Sequence, residues 1–449
     1  MDAPTTDKAR TRTPRTVIVI GPTDGYRGTQ KNLLACTRIF RSFGMRVVVF
    51  TNPGNAAGVR IDLDNERVPV VEYTTGTELR SLLESEILRN EHPVFVNVHA
   101  PGWHEPSLLP AFRFLHGHGI PIALTNVFGR NDWKSGRFVD VNVQISLWDL
   151  SRWNARRFPI GGGRFGIYLP YAIDTDGFRR TDANDRSGFR RKLGIGDKDF
   201  VVGRLGKTDW RSVERSVSSF LARHPDAHFV SVDDYNQDSS AIARLSRIHT
   251  NRVHVIPMLA STKESAVFYS ACDLTIAASG IGESFGYVIA ESLACETPVV
   301  SVSRPAQDNA QLELIGDPDF VAGKIADLPA TLERAFRRIA NEPGLGRAFR
   351  EKTERRYGTV AVASMWKTFC ETMERASKTG RFDRNRAREE LAVSFQTSFA
   401  PGFLSILRHV KTLSWSAPTG RDTFALFWKR IPVLFYLYEN LRLILKGTR

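Results

Sequence analysis

The sequence is poor in cysteine, and the spacing of what it has excludes the usual structural uses of sulfur. Cys36, Cys272, Cys295 and Cys370 stand far apart with no CxxC pair, so neither a zinc site nor a disulfide framework is indicated. A reducing compartment, the cytoplasm, fits best. Long apolar runs are also missing: the run Ile431 to Tyr438 falls far below the roughly 20 residues that span a bilayer. The opening stretch MDAPTTDKARTRTPRT has no apolar core of a secretory signal and reads as a short disordered lead. No GxGxxG follows the first apolar strand, so the classical dinucleotide fingerprint is absent. Three DxD pairs, Asp62/Asp64, Asp174/Asp176 and Asp317/Asp319, lie in polar or proline-containing surroundings and not at the end of a buried strand, which speaks against a metal-nucleotide site.

What is present suits a folded chain of two domains with extras: 449 residues, 42% of them hydrophobic, are enough for sizeable cores. The formal net charge is +14, and residues 376–449 hold thirteen Lys and Arg against five Asp and Glu. More than half of the excess therefore sits in the tail. Such a surface suits nucleic acid, anionic lipid or phosphorylated substrates, and charge alone does not choose among them. No nucleic-acid module accompanies it, so nucleic acid is the weakest of the three.

The stretch Thr16 to Thr51 reads as strand, helix, strand, with a Gly21 to Gly28 loop at the first strand's carboxyl end, where open α/β sheets bind ligands; Gly25 and Gly28 also suit plain turns. A strand at Val94 to Val98 runs into His99 and His104, and another at Ile120 to Thr125 ends at Asn126. Both place polar groups at strand carboxyl ends, as functional residues or as hydrogen-bonded structural ones. A strand at Val139 to Ser146 and a helix at Leu147 to Arg157 follow. A second alternation of strands and helices starts at Phe200, which makes a second doubly wound sheet. There Arg204, Lys207 and Arg211 converge just after a buried strand, either to clamp a diphosphate or as part of a solvated loop.

Residues 279–301 read SGIGESFGYVIAESLACETPVVS. Ser279, Gly280, Gly282 and Gly286 make a permissive loop, and Phe285, Val288, Ile289 and Leu293 share one helical stripe. Backbone N–H groups at a helix N-terminus are unpaired donors at the positive end of its dipole, so such a loop can cradle an anion. If Glu283 and Glu291 were both helical, they would lie roughly 12 Å apart, too far for a carboxylate pair acting on one glycosidic bond. They suit the two ends of a longer ligand such as a nucleotide-sugar. The alternative is a solvated helix capped by glycines.

Two tandem Rossmann-like units with an E-x7-E segment resemble the GT-B glycosyltransferases, specifically the retaining enzymes of glycosyltransferase family 4 (group 1). The likeness runs from about Thr16 to Glu374. GESFGYVIAESLACETPVVS is similar to the family's E-(S/G)-F-G, E-A and G-x-P-V-V run, VVGRLGKTDWRS to its G-R loop, and LPYAIDTDGF to its interdomain connector. The resemblance implies an α/β fold of two Rossmann-like domains facing a cleft: an acceptor-side domain over 16–170, a connector over 171–180, a nucleotide-sugar domain over 181–360 and a closing helix over 361–375. Lead (1–15) and tail (376–449) flank them. It further implies that Glu283 touches the transferred sugar and Glu291 the ribose hydroxyls, that Arg204 and a lysine hold the diphosphate, and that the Ser284, Phe285 and Gly286 backbone cradles phosphate. No metal or cofactor is implied beyond a UDP- or GDP-linked donor.

Three positions depart from the family pattern. Lys207 follows Gly203 by four residues and Arg211 by eight, where the family lysine follows by six. Where relatives carry T-x-H after the strand at 120–125, this chain has Thr125-Asn126 without the histidine, which leaves Asn126, His99 or His104 to act near the sugar. Glu296 takes the place of a glycine before Thr297-Pro298.

Past Glu374 the likeness stops. RASKTGRFDRNRAREE reads as a basic linker, and the aromatic and basic segments of 400–449 suit an interfacial membrane contact, or docking on the core or on a second subunit. The expectation is a retaining transferase acting on a glycan, lipid-linked or small-molecule acceptor, in the cytoplasm or at the inner membrane face. The alternatives are a GT-B-fold nucleotide-sugar 2-epimerase and a non-catalytic partner subunit.

Overall fold

The runs TVIVI and RVVVFT are apolar on both sides of the strand, the pattern of a parallel sheet covered on both faces. In a computed structural model of the chain they are the centre of the first of two such sheets. The structure describes residues 15–54, 57–89, 93–100, 108–128, 135–155, 165–206, 209–233, 238–304, 308–377 and 382–395.

The first sheet contains β1 (Thr16–Ile20), β2 (Arg46–Thr51), β3 (Val70–Glu72), β4 (Phe95–Ala100), β5 (Ile122–Asn126), β6 (Val141–Gln144) and β7 (Phe165–Tyr168). Its order is β3-β2-β1-β4-β5-β6-β7, all parallel. Its helices are α1 (Gly28–Ser42), α2 (Val59–Asn65), α3 (Gly76–Arg89), α4 (Leu109–Gly117) and α5 (Leu147–Ala155). The order reverses between β1 and β4, and this switch point opens a crevice at the strands' carboxyl ends.

The second sheet contains β8 (Phe200–Arg204), β9 (Ala227–Val232), β10 (Val253–Ile256), β11 (Leu274–Ala277), β12 (Val299–Val302) and β13 (Val321–Ala322), in the order β10-β9-β8-β11-β12-β13. Around it lie α6 (Ala183–Lys192), α7 (Trp210–Arg223), α8 (Ser239–Ile248), α9 (Thr262–Ala271), α10 (Tyr287–Ala294), α11 (Gln311–Ile315), α12 (Leu328–Asn341) and α13 (Leu345–Tyr357). Its switch point falls between β8 and β11, so Arg204 and the segment after Ala277 share one edge.

The chain crosses between domains twice. Tyr171 and Ile173 of the first crossing are buried, and Ile173 forms a parallel bridge with Gly358 on the return. There α14 (Thr359–Ala376) packs Trp366 and Phe369 edge-on against Phe40 and Phe95 of the first domain. The stretch expected to be a linker then holds a further helix, α15 (Arg384–Ser394). Asp383 caps it, and Phe382, Ala387 and Leu391 complete the first domain's core. Phe382 just before the helix, with Ala387 and Leu391 one turn apart on it, was enough to dock a segment whose charge suggested solvent. Among the described residues no helix is long and apolar enough to cross a membrane.

Candidate functional site

The two sheet edges face one another across the connector, and α1 and α10 meet there by their N-termini. Gly28 is the first residue of α1; a Cβ on it would lie 3.3 Å from Cδ2 of Tyr287, the first residue of α10. Tyr287 stacks on Tyr171 at 5.5 Å, and its hydroxyl donates to the Ala172 carbonyl.

The loop before α10 is held by backbone constraints. Gly282 and Gly286 have φ of +72° and +92°, and a Cβ at Gly282 would fall 1.6 Å from the Asp308 carbonyl oxygen, so no larger residue fits there. Glu283 N–H donates to Gln311 Oε1 at 3.3 Å, and the Glu283 carbonyl accepts from Ala310 N–H at 2.8 Å. The helix begins only at Tyr287. Glu283, Ser284 and Phe285 therefore precede it, and the distance of 12 Å that assumed a helix through Glu283 does not apply. Phe285 is buried against Tyr171 and Tyr357, while Val288, expected beside it on the apolar stripe, is only half-buried.

Glu291 lies one turn into α10 with its side chain 3% exposed. Its Oε1 accepts from Lys31 Nζ at 2.6 Å and its Oε2 faces the Tyr269 hydroxyl at 3.4 Å. Lys31 belongs to α1 of the first domain, so this ion pair spans the cleft.

Arg204 ends β8 fully buried. Its guanidinium donates to the carbonyls of Val232 and Gly206 and lies 4.8 Å from the Trp210 ring. It braces the β8 edge and fixes the turn that follows. Arg211 lies in the first turn of α7. Lys207, like His104 and the tail 400–449, lies outside the described residues.

On the first domain's edge, a cavity of about 280 Å³ is lined by Gly21, Thr29, Asn52, Tyr73, His99 and Phe128 among others. His99 is 3% exposed. Asn97 Nδ2 approaches its Nε2 at 3.1 Å and the Asn32 amide its Nδ1 at 3.4 Å. Thr125 donates to Asn97 Oδ1, which turns the amide NH2 toward the ring and makes Nε2 an acceptor. Burial pushes the imidazole pKa down to about 3, so His99 is a neutral group. Asn126 is fully buried at the end of β5, in register with Ala100 and Gln144.

Five of the six carboxylates of the DxD pairs serve local structure. Asp62 accepts from the Tyr26 hydroxyl, Asp64 pairs with Arg60, Asp174 caps the Gly177 N–H, and Asp317 caps a short turn whose Asp319 pairs with Arg338. A further carboxylate that the motifs did not single out is Glu313 on α11. It is buried, its two oxygens accept from the Leu147 N–H at 3.1 and 3.0 Å, and burial pushes its pKa up to about 8. It caps α5 of the opposite domain.

Lys31, Tyr269 and Tyr287 also escaped the sequence reading. Tyr287 follows Gly286 directly and was within reach of it. Lys31 was not, because its partner lies 260 residues away and only domain packing brings them together.

With this geometry in hand, a family model described as glycosyl transferases group 1 matches residues 200–339. Comparison with curated proteins finds no match. Among solved structures the chain is similar to Anabaena Alr3699/HepE in complex with UDP and glucose, at 17% identity and TM-score 0.61, over 79% of this chain and 98% of that one. It is similar to a glycosyltransferase from Rickettsia africae at 13% identity and TM-score 0.65, over 81% and 99%. It is also similar to sucrose-phosphate synthase from Thermosynechococcus elongatus at 16% identity and TM-score 0.60, over 81% and 100%. The chain thus has the GT-B fold of two Rossmann-like domains, and its second domain matches the glycosyl transferases of group 1.

Proposed function

We propose that the chain is a retaining glycosyltransferase that moves a sugar from a UDP- or GDP-linked donor to a glycan, lipid-linked or small-molecule acceptor. One observation carries the reading: the Glu283–Gly286 loop opens α10 at the switch-point edge of the second sheet, with Glu291 buried one turn on, facing α1 across the cleft. The family match includes this whole segment, and the similar Anabaena protein is seen with UDP, with UDP and glucose, and with UDP-glucose.

In this reading the N–H groups from Ser284 to Gly286 and the α10 dipole receive the donor phosphates, Glu291 accepts from the ribose hydroxyls, and Glu283 accepts from hydroxyls of the transferred sugar. Lys207 and Arg211 add positive charge at the diphosphate, and Arg204 precedes them at the end of β8. Gly28 keeps the α1 end narrow enough to approach the donor. The cavity lined by His99 takes the acceptor, with Asn126 ending the neighbouring strand, and a neutral His99 whose ring nitrogens face Asn97 and Asn32 adds no charge there.

The reaction breaks the bond between the sugar's anomeric carbon and the diphosphate oxygen, whose electron pair leaves with the diphosphate. The acceptor hydroxyl oxygen bonds to that carbon on the same face, and its proton passes to the departing phosphate. No protein nucleophile or metal enters this scheme. The reaction is placed in the cytoplasm, with the basic tail against an anionic membrane where the acceptor is lipid-linked.

The test is turnover of UDP- and GDP-linked sugars by the full chain in the presence of EDTA, with and without acceptors. Glu283→Gln should cut transfer by at least about 100-fold and leave the melting temperature unchanged. Unchanged transfer by that variant sinks the assignment, and release of free sugar from donor without acceptor identifies an epimerase instead.

A further inference from the structure

The Lys31–Glu291 pair joins the two domains at the centre of the candidate donor site. Lys31 Nζ reaches it past the rings of Tyr287 and Phe178, whose centroids lie 5.4 and 5.9 Å away. The two side chains differ in exposure, 34% for Lys31 and 3% for Glu291. A buried carboxylate is costly unless it is paired and hydrogen-bonded. Among the described residues Lys31 is the cation paired with Glu291, and it comes from the other side of the cleft.

We propose that Lys31 is a positioning residue of the donor site: it holds the Glu291 carboxylate aimed from across the cleft, so ribose recognition is complete only when the domains are closed. The proposal rests on the donor reading above. A carboxylate offers about four lone-pair positions. Lys31 and Tyr269 engage one on each oxygen, so the lysine and the ribose hydroxyls can be held together. Pulling the domains apart removes the lysine, and the Glu291 carboxylate is then no longer held in place for hydroxyl donors. Ribose binding and closure therefore favour each other, as linkage requires.

The experiment compares UDP with 2′-deoxy-UDP, or GDP with 2′-deoxy-GDP if guanine is the base that binds, by titration calorimetry on the full chain. The proteins are the wild type, Lys31→Met, Lys31→Arg, Glu291→Gln and the Lys31→Met/Glu291→Gln double variant. Wild type should prefer the ribonucleotide. Lys31→Met should lose about tenfold in ribonucleotide affinity and most of that preference, and Lys31→Arg should recover both. The double variant should bind no worse than Glu291→Gln alone. With substrates, the donor KM should rise in Lys31→Met while kcat at saturating donor changes by less than about twofold. Small-angle scattering should show the nucleotide-free Lys31→Met chain to be more extended than wild type.

Equal loss of ribo- and deoxyribonucleotide binding would assign Lys31 to the phosphates and overturn the proposal. So would unchanged affinity with an unchanged radius of gyration, which leaves the donor reading intact because wild type still binds. Failure of wild type to bind any nucleoside diphosphate overturns the donor reading and this proposal with it.

Discussion

Glu296 holds a backbone conformation in which a side chain is costly. Its φ is +63°, two residues after α10 ends, in the left-handed region that favours glycine. Its side chain lies 3.9 Å from Arg180, a weak and partly exposed pair. Replacing Glu296 with glycine should therefore stabilise the chain by about 1 kcal/mol, the lower end of the cost of a left-handed non-glycine residue, read as a rise in melting temperature with the donor site unaltered. Here the departure from the family pattern was visible in the sequence, and the structure supplies its physical meaning. Arg204 was visible too, but its donation to the carbonyls of Val232 and Gly206 was not, because Val232 comes from another strand.

At the scale of elements, most strands could be read from apolar runs because parallel strands covered on both faces carry no polar side. β1, β2, β4, β5, β6 and β8 all fall within a few residues of their expected places. Two elements were harder. α10 starts two residues later than its apolar stripe suggested, since Phe285 is buried by ring packing before the helix begins. α15 was read as linker because its charges outnumber its apolar residues, although Phe382, Ala387 and Leu391 supply a narrow buried stripe. Leu391→Ala should cost about 2–5 kcal/mol. Chemical denaturation that shows no change would mean that α15 is a passive appendage of the first domain.

For the molecule as a whole, the domain interface carries a titratable group. Burial pushes the Glu313 pKa up from 4.5 to about 8, so between those values the folded chain holds a proton that the unfolded chain has released. Its contribution to stability is full below the unfolded value and is lost as the pH rises through about 8. Lys352 on α13, which burial pushes down from 10.5 to about 8, works in the opposite sense and loses its contribution as the pH falls through about 8. Glu313→Gln keeps an oxygen for the Leu147 N–H and cannot ionise. It should flatten the fall in melting temperature between pH 5 and 8, and an identical profile for variant and wild type would place this titration elsewhere.

The return of the chain through Gly358 bears on synthesis. α14 and α15 supply Trp366, Phe369, Phe382 and Leu391 to the core that β1 and β2 begin, so this core closes only after residue 391 has left the ribosome. The second domain, whose strands run from Phe200 to Ala322, emerges in full before that. The first domain to be made is thus the last to be finished, and until then its open face is a surface for chaperones to guard.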